Sequence, residues 1–306
     1  MQIYYQGVDI SNMVQATECV VRDTVGRCDS LDIRFANAGA WYRWAPAEDD
    51  QIVVADSGYD SGIMYVNQIM PENGAFRIFA TSLPCAARKK GYRSFINQTL
   101  ENIMRICAAE SGMSYQLFGV AGSTVIPYIE RDNESCAAFL NRLMCLEGAA
   151  LKCVNGRYTA IGIEYAQDLG IVQALTVMAD QNGIEYNRDG MALKSITVKS
   201  PYATATAEDT AVSDSHSRLT ICDLPVLNGP QAGRWARAKL RHVNQFCKAE
   251  RLVVSSRYNP GLTALMRINV TGNTDATGEW LTELVSHDFV RRTTTAVMRR
   301  CIRTIR

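Results

Sequence analysis

The first 85 residues consist of short segments in which apolar and polar side chains alternate, and this period of two constrains the fold more than any other feature. Residues 16–22 and 30–35 alternate in this way, which is the pattern of a β-strand that buries one face. Further strand-like segments lie at 51–55, 62–69 and 75–80. The last two flank a turn that contains Asn73-Gly74, and this dipeptide favours a tight hairpin. Five short strands at this spacing predict a β-barrel or a β-sandwich.

The period changes to that of a helix near residue 94. Two apolar stripes with helical spacing follow, and each ends near a glycine, Gly112 for the first and Gly148 for the second. Their apolar positions are Ile96, Leu100, Ile103, Met104 and Cys107 in the first stripe, and Phe139, Leu140, Leu143 and Met144 in the second. Stripes of this kind are typical of helices that pack into a core. A second tight hairpin is predicted around Asn155-Gly156.

The chain returns to strand-like segments after about residue 190. These segments lie at 193–198, 219–222, 250–254, 262–270, 280–287 and 293–299. One helix is predicted among them, from Pro230 to Lys248. The sequence therefore predicts an α+β fold that is mainly β. We expect a first β domain at 1–88, a helical and small α+β insert at 89–190, and a second β domain at 191–306.

Charge is distributed unevenly, although the net charge is only +1. Residues 1–85 contain eleven Asp and Glu and five Arg, a net −6, whereas residues 231–306 contain fourteen Lys and Arg and five Asp and Glu, a net +9. Two solvated faces of opposite sign would explain this polarity. The alternative is that acidic and basic ends meet, within one chain or between copies.

The residues that most enzymes and metal proteins need are sparse. The three histidines, His216, His242 and His287, lie far apart, and none of the ten cysteines forms a C-x-x-C pair. We therefore predict no catalytic residue, no metal site and no cofactor. The cysteines are expected to be free thiols in the core, with disulfides that form outside the cell as the alternative.

Neither a membrane span nor a signal peptide is predicted. No apolar run approaches the ~20 residues that a membrane helix needs, and the first residues contain neither a basic nor an apolar signal region. We expect no stable membrane insertion and synthesis in a cytoplasm.

Four motifs follow one another along the chain in a characteristic order. They are 62–71 with 80–84; 100–108 with Gly112; Glu134-Ser135 with 139–143 and 147–149; and 278–280 with 285–287 and the following Thr run. In this order they resemble the late control protein D family of phage tail hubs, which is similar to the N-terminal hub part of type VI secretion spike proteins. The third motif is the most specific, and Phe139, Leu140 and Leu143 are its core. The chain departs from the family pattern at Cys136, where an acidic residue is common.

The resemblance implies a structural protein of the virion, the hub of a contractile tail baseplate or of a tailocin-like injection machine, assembled in the bacterial host cytoplasm. It would be a homotrimer in which each subunit carries two tube-like β-barrels. Three copies would then present six barrels to the hexameric tail tube above and a three-fold face to the spike below. Other baseplate proteins would bind it as well, and DNA could pass through the lumen of the ring.

Taken together with the resemblance, the charge polarity predicts a candidate assembly interface between barrels. Opposite net charges would favour alternation of first and second barrels in the ring. The basic partners in such contacts would be Arg291, Arg292, Arg299 and Arg300.

Two other functions stay open at this point. A tail-associated cell-wall hydrolase would need a hidden pair of carboxylates or a Cys/His cleft. A nucleic-acid-binding protein would use the basic helix at 234–248 and the C-terminal arginines on phosphates.

Overall fold

The chain is mostly β in the computed structural model, which describes residues 1–36, 39, 45–178, 183–188, 190–247, 250–273 and 275–306. Strands make up 48% and helices 18%, so the predicted α+β, mainly β class is confirmed. The strands are β1 (Gln2–Tyr5), β2 (Val8–Asp9), β3 (Ala16–Thr24), β4 (Ser30–Phe35), β5 (Gln51–Asp56), β6 (Tyr59–Asp60), β7 (Met64–Glu72), β8 (Ala75–Thr81), β9 (Lys90–Thr99), β10 (Ser114–Phe118), β11 (Val125–Ser135), β12 (Ala149–Val154), β13 (Arg157–Gly162), β14 (Gln173–Thr176), β15 (Gly183–Asn187), β16 (Ser195–Lys199), β17 (Thr204–Glu208), β18 (Arg218–Ile221), β19 (Arg251–Arg257), β20 (Arg267–Thr271), β21 (Gly278–Asp288) and β22 (Thr293–Arg300). The helices are α1 (Cys85–Arg88), α2 (Leu100–Glu110), α3 (Cys136–Leu146), α4 (Ile163–Asp168) and α5 (Gly229–Arg241), and a π-helical turn (His242–Cys247) continues α5.

One 14-stranded sheet runs through both ends of the chain. Its main order is β15-β19-β22-β21-β3-β4-β8-β7-β5-β1-β2; off this order, β20 pairs with β21, β14 pairs with β20, and β6 pairs with β5. We call strands β1–β8 the N-terminal half-sheet, and strands β14, β15 and β19–β22 the C-terminal half-sheet. The two join where β3 pairs antiparallel with β21, so that Val21 lies opposite His287.

Each half-sheet has its own hydrophobic core. Ile33, Phe35 and Val54 lie in the core of the N-terminal half-sheet, and Leu252 and Trp280 lie in that of the C-terminal half-sheet. All five are fully buried. Burial on one face explains the alternation seen in the sequence, because every second side chain of these strands points into a core.

Neither half-sheet closes into a barrel within the described residues, so the two predicted tube-like barrels are not confirmed. Closure of the N-terminal half-sheet would require a free edge on β3, and that edge pairs with β21 instead. The structure has two half-sheets that continue into each other.

A third core joins the helices of the insert to the segment that follows it. Helices α2 and α3 pack with the three-stranded sheet β10-β13-β12, and the same cluster includes Ile196, Val198 and Trp235 from the later sheet β17-β16-β18 and from α5. The division at residues 88 and 190 stays a prediction about folding units, since packing joins segments on both sides of residue 190.

Local signals fix where the two long helices of the insert begin. The side chain of Thr99 accepts the N–H of Asn102 (3.2 Å), and Ser135 accepts that of Ala138 (3.2 Å); both are N-caps. The predicted first stripe was therefore wrong at Ile96, which is exposed in β9 opposite Tyr128.

Two other predicted elements differ at their ends. The helix expected at 230–248 turns into the π-helical segment at His242, and Lys248 lies outside the described residues. The strand expected at 262–270 begins only at Arg267. Leu265 has a positive φ of 65°, which is incompatible with a regular strand.

Candidate assembly interface

The four arginines predicted to form an interface lie at opposite ends of the β21–β22 hairpin. Arg291 and Arg292 are in its turn, whereas Arg299 and Arg300 end β22. Because a strand rises about 3.3 Å per residue, roughly 25 Å separates the two pairs. The structure therefore does not bring the four side chains into one patch.

Arg299 and Arg300 are held by carboxylates of the same chain. Arg299 Nε donates to Glu283 Oε2 at 2.6 Å, and Arg300 Nε donates to Glu250 Oε2 at 2.7 Å. The Arg300 guanidinium also lies 4.2 Å from the ring centre of Trp280, a cation–π contact. Both arginines stabilise the C-terminal half-sheet internally.

Arg292 connects the two half-sheets, and Arg291 is left on the surface. Arg292 pairs with Asp56 of β5 and lies 4.2 Å above the ring of Tyr258. Arg291 is 81% exposed, and its contact with Asp288 is long, at 3.7 Å. Carboxylates of the same chain thus neutralise Arg292, Arg299 and Arg300, whereas Arg291 remains available to a partner.

Four aromatic rings fill the junction between the half-sheets. Tyr59 comes from the N-terminal half-sheet, and Tyr258, His287 and Phe289 come from the C-terminal segment. The rings of Tyr59 and His287 are 4.4 Å apart, and Phe289 lies 5.6 Å from Tyr59 and 5.5 Å from Tyr258. Aromatic pairs at these distances add to the stability that burial alone provides.

His287 is hydrogen-bonded at both ring nitrogens in this junction. Its Nδ1 lies 3.0 Å from Thr294 Oγ1, which also accepts the N–H of Asn259 (2.9 Å). His287 Nε2 then donates to the carbonyl of Leu262 (3.0 Å). Burial lowers the pKa of His287. These contacts give His287 a structural role at the end of β21.

A buried lysine joins all three parts of the chain. Lys152 of β12 forms ion pairs with Asp23 and with Asp29, the latter at 3.3 Å, and Asp23 Oδ2 accepts the backbone N–H of Ala264 (2.9 Å). Burial lowers the pKa of Lys152 to about 7 and raises the pKa of Asp29 to about 7. Loss of either partner would leave a buried charge without compensation. No sequence motif pointed to this cluster.

The third motif is a set of contacts around α3. Arg142 donates to both carboxylate oxygens of Glu134, at 3.1 and 2.7 Å. Glu147 is buried and accepts Arg234 Nε (2.8 Å) and Trp235 Nε1 (2.7 Å). The motif's apolar residues, Phe139, Leu140 and Leu143, are fully buried in the third core. Their part in a family-wide motif stays a prediction.

Cys136 occupies the N-terminal end of α3 in a polar environment. Its thiol contacts Arg131, lies 3.4 Å from Glu110 Oε2 and shares a hydrogen bond with Cys107. Arg131 also donates to Glu110 at 2.7 Å. The hydrogen bond with Cys107, together with the charge of Arg131, lowers the pKa of the Cys136 thiol.

The large sheet presents strand edges at both ends of its order. Within the described part of the chain, β2 pairs only with β1 and β15 pairs only with β19. An unpaired edge offers N–H and C=O groups to a neighbouring chain. The two edges belong to different half-sheets, which matters for assembly.

The described residues contain no constellation typical of an active site. His216 bonds the carbonyl of Ala192 (2.9 Å), and His242 stacks on Phe246. No group of three His, Cys, Asp or Glu that could hold a metal occurs among the residues described. None of the helices described is long and apolar enough to cross a membrane.

Comparison with solved structures identifies the fold. A tail protein from Neisseria meningitidis superposes with a TM-score of 0.76 at 10% identity, over 98% of this chain and 95% of that one. The 43 kDa tail protein of prophage MuSo2 from Shewanella oneidensis gives 0.71 at 14% identity, over 97% of both chains. An Escherichia coli type VI secretion component, described as similar to the T4 tail proteins gp27 and gp5, gives 0.62 at 12% identity, over 97% of this chain and 76% of that one.

These similarities confirm, at the level of the fold, the resemblance seen in the sequence. No protein-family profile matches the sequence, and no curated protein matches it. The chain has the fold of phage tail proteins and of a type VI secretion component across nearly its whole length.

Proposed function

We propose that the protein is a structural component of a phage tail or tail-like injection machine, and that it acts as the baseplate hub between tail tube and spike. The observation that carries this proposal is the extent of the fold similarity, because 98% of the chain superposes on one tail protein. The similarity includes both half-sheets and the insert. The protein acts by assembly and carries no catalytic site in this proposal.

The two half-sheets support a trimer. Each has its own core, so three chains would supply six β units around a central axis. Six units suit a hexameric tube, whereas the three-fold symmetry of the chains suits a trimeric spike. A closed ring of this kind requires a head-to-tail interface that repeats.

The strand edges supply such an interface. The edge at β15 belongs to the C-terminal half-sheet and the edge at β2 to the N-terminal half-sheet. Within each chain, the pairing of β3 with β21 places an N-terminal half-sheet beside a C-terminal one. Contact between β15 of one chain and the β2 side of the next would continue this alternation of half-sheets around the ring. The surface charge of Arg291 would act beside this contact, while Arg292, Arg299 and Arg300 hold their own chain together.

Native mass spectrometry and electron microscopy of the purified protein test the proposal. We expect trimeric rings, alone or after addition of the spike protein of the same particle, and binding of the tube protein to one face. A monomer under all of these conditions would contradict the hub. Hydrolysis of purified peptidoglycan by the wild-type protein would show instead that it is an enzyme.

A further inference from the structure

A cleft lined by arginines lies between α5 and three glycines. Arg234, Arg237 and Arg241 form one wall, because residues spaced by three and four share a face of a helix. The other wall is made by Gly119, Gly148 and Gly162, and the volume between the walls is about 190 Å³. We call this site the arginine cleft. Two of these glycines approach closely: a Cβ on Gly162 would stand 2.5 Å from the carbonyl oxygen of Gly119.

One of the two carboxylates in the cleft is fully committed to the fold. Glu147 is 3% exposed and receives two hydrogen bonds from Arg234, at 2.8 and 3.3 Å, and one from Trp235 at 2.7 Å. Arg234 and Glu147 therefore neutralise each other in a fixed geometry. Neither is available to a ligand.

The second ion pair is asymmetric. The side chain of Arg241 is 7% exposed, whereas that of its partner Glu164 is 69% exposed. A single hydrogen bond of 2.5 Å, from Arg241 Nη2 to Glu164 Oε1, joins them. A guanidinium has five N–H donors, and Glu164 accepts from one of its nitrogens. An exposed glutamate loses little when it leaves, because solvent can replace its partner.

Arg237 adds a positive charge that the cleft does not balance. It is exposed, and no ion pair to it occurs among the residues described. Three arginines face two glutamates, which leaves the cleft with an excess of one positive charge.

We propose that the arginine cleft binds a carboxylate from an acidic peptide of a partner protein, which takes the place of Glu164 on Arg241 and also contacts Arg237. The cleft already holds a carboxylate in this position, and a guanidinium matches the two oxygens of such a group. A duplex of nucleic acid fits the site less well. It needs an extended basic surface, whereas this cleft is small and contains two carboxylates.

The test is independent of whether the protein is a tail hub. The probe is the blocked peptide Ac-Gly-Glu-Gly-NH2, titrated into the full-length protein at low salt while the NMR signals of arginine Nε–H groups are followed. We expect Glu164→Gln to tighten binding by about two- to fivefold, since it removes an exposed competing ion pair. We expect Arg241→Gln to weaken it by at least about tenfold, the size of a charged hydrogen bond.

Arg237→Gln and Arg105→Gln form a matched pair, because each removes one exposed arginine from a helix and changes the net charge equally. Only Arg237→Gln should weaken binding, and it keeps the inference testable if Arg241→Gln does not fold. Equal effects of the two variants, or no tightening in Glu164→Gln, would overturn the proposal. So would equal binding of Ac-Gly-Gln-Gly-NH2. Tighter binding of methyl phosphate, with competition by duplex DNA, would replace it with a phosphate site.

Discussion

The two half-sheets have comparable cores, but their paired strands are separated by different distances along the chain. In the N-terminal half-sheet, β3 pairs with β4 and β7 pairs with β8, so that Arg22 lies opposite Ser30. In the C-terminal half-sheet, Glu185 meets Arg251 across 66 residues and Thr176 meets Thr271 across 95. Hairpins between consecutive strands close short loops, whereas pairing of distant strands costs more conformational entropy because a longer loop must close. The N-terminal half-sheet is therefore built within one continuous segment, in which the most distant pairings are β4–β8 and β1–β5. The C-terminal half-sheet instead joins segments from both sides of α5.

The largest expected effect comes from the lysine that ties both half-sheets to the insert. Lys152→Ala would leave Asp23 and Asp29 buried without their cation, and we expect the free energy of unfolding to fall by about 3–5 kcal/mol. Urea denaturation measures it. The control combines Lys152→Met with Asp23→Asn and Asp29→Asn, which removes all three charges and should recover much of the loss. A cost below about 1 kcal/mol for Lys152→Ala would contradict the proposed junction.

A matched pair of leucines tests whether the half-sheets unfold together. Leu31 in the N-terminal core and Leu252 in the C-terminal core are both fully buried, so each Leu→Ala change should cost about 2–5 kcal/mol. Because β3 and β21 pair, we expect one transition whose midpoint both variants lower. Two calorimetric transitions, each shifted by only one variant, would mean that the halves are independent. Leu219→Ala, at an exposed site, should stay within about 0.5 kcal/mol.

A smaller, pH-dependent effect is expected at the junction itself. Burial lowers the pKa of His287 in the folded protein, so below about pH 6.5 the unfolded chain binds a proton more readily than the folded chain does. Stability should fall as the pH drops from about 6.5 towards the folded pKa, by at most about 1.4 kcal/mol per pH unit. Comparison of wild type with His287→Gln in urea at a series of pH values measures this. An unchanged slope in the variant would assign the pH dependence to other groups.

The smallest effect on stability is expected at Arg291. Arg291→Glu changes an exposed side chain and should alter the free energy of unfolding by no more than about 0.5 kcal/mol, yet weaken a trimer that uses this surface. Arg299→Glu is the contrasting variant, because it faces Glu283 at 2.6 Å and should destabilise the monomer. Sedimentation velocity at low and high salt follows the trimer. Normal assembly of Arg291→Glu at both salts would place the interface elsewhere.

The local parts of this fold could be predicted from the sequence in some detail. Strand β4 covers the predicted residues 30–35, and the turn of the β12–β13 hairpin lies at Asn155-Gly156, where both residues have a positive φ. The N-cap Thr99 was a signal that could have corrected the placement of Ile96, because it marks where strand β9 ends and α2 begins. Alternation, capping and turn residues act over a few positions, so they can be read from the chain itself.

The sequence by itself determined the class of fold, the order of its β and helical parts, and the charge polarity of its ends. Tertiary structure alone decided that β3 pairs with β21, that Arg292 reaches Asp56, and that Lys152 lies between two aspartates. Lys152 and Asp23 are 129 residues apart, and no local pattern records such a contact. The physical reason is that the packing of whole elements brings these side chains together. Their interaction depends on burial in the folded protein and not on their spacing in the sequence.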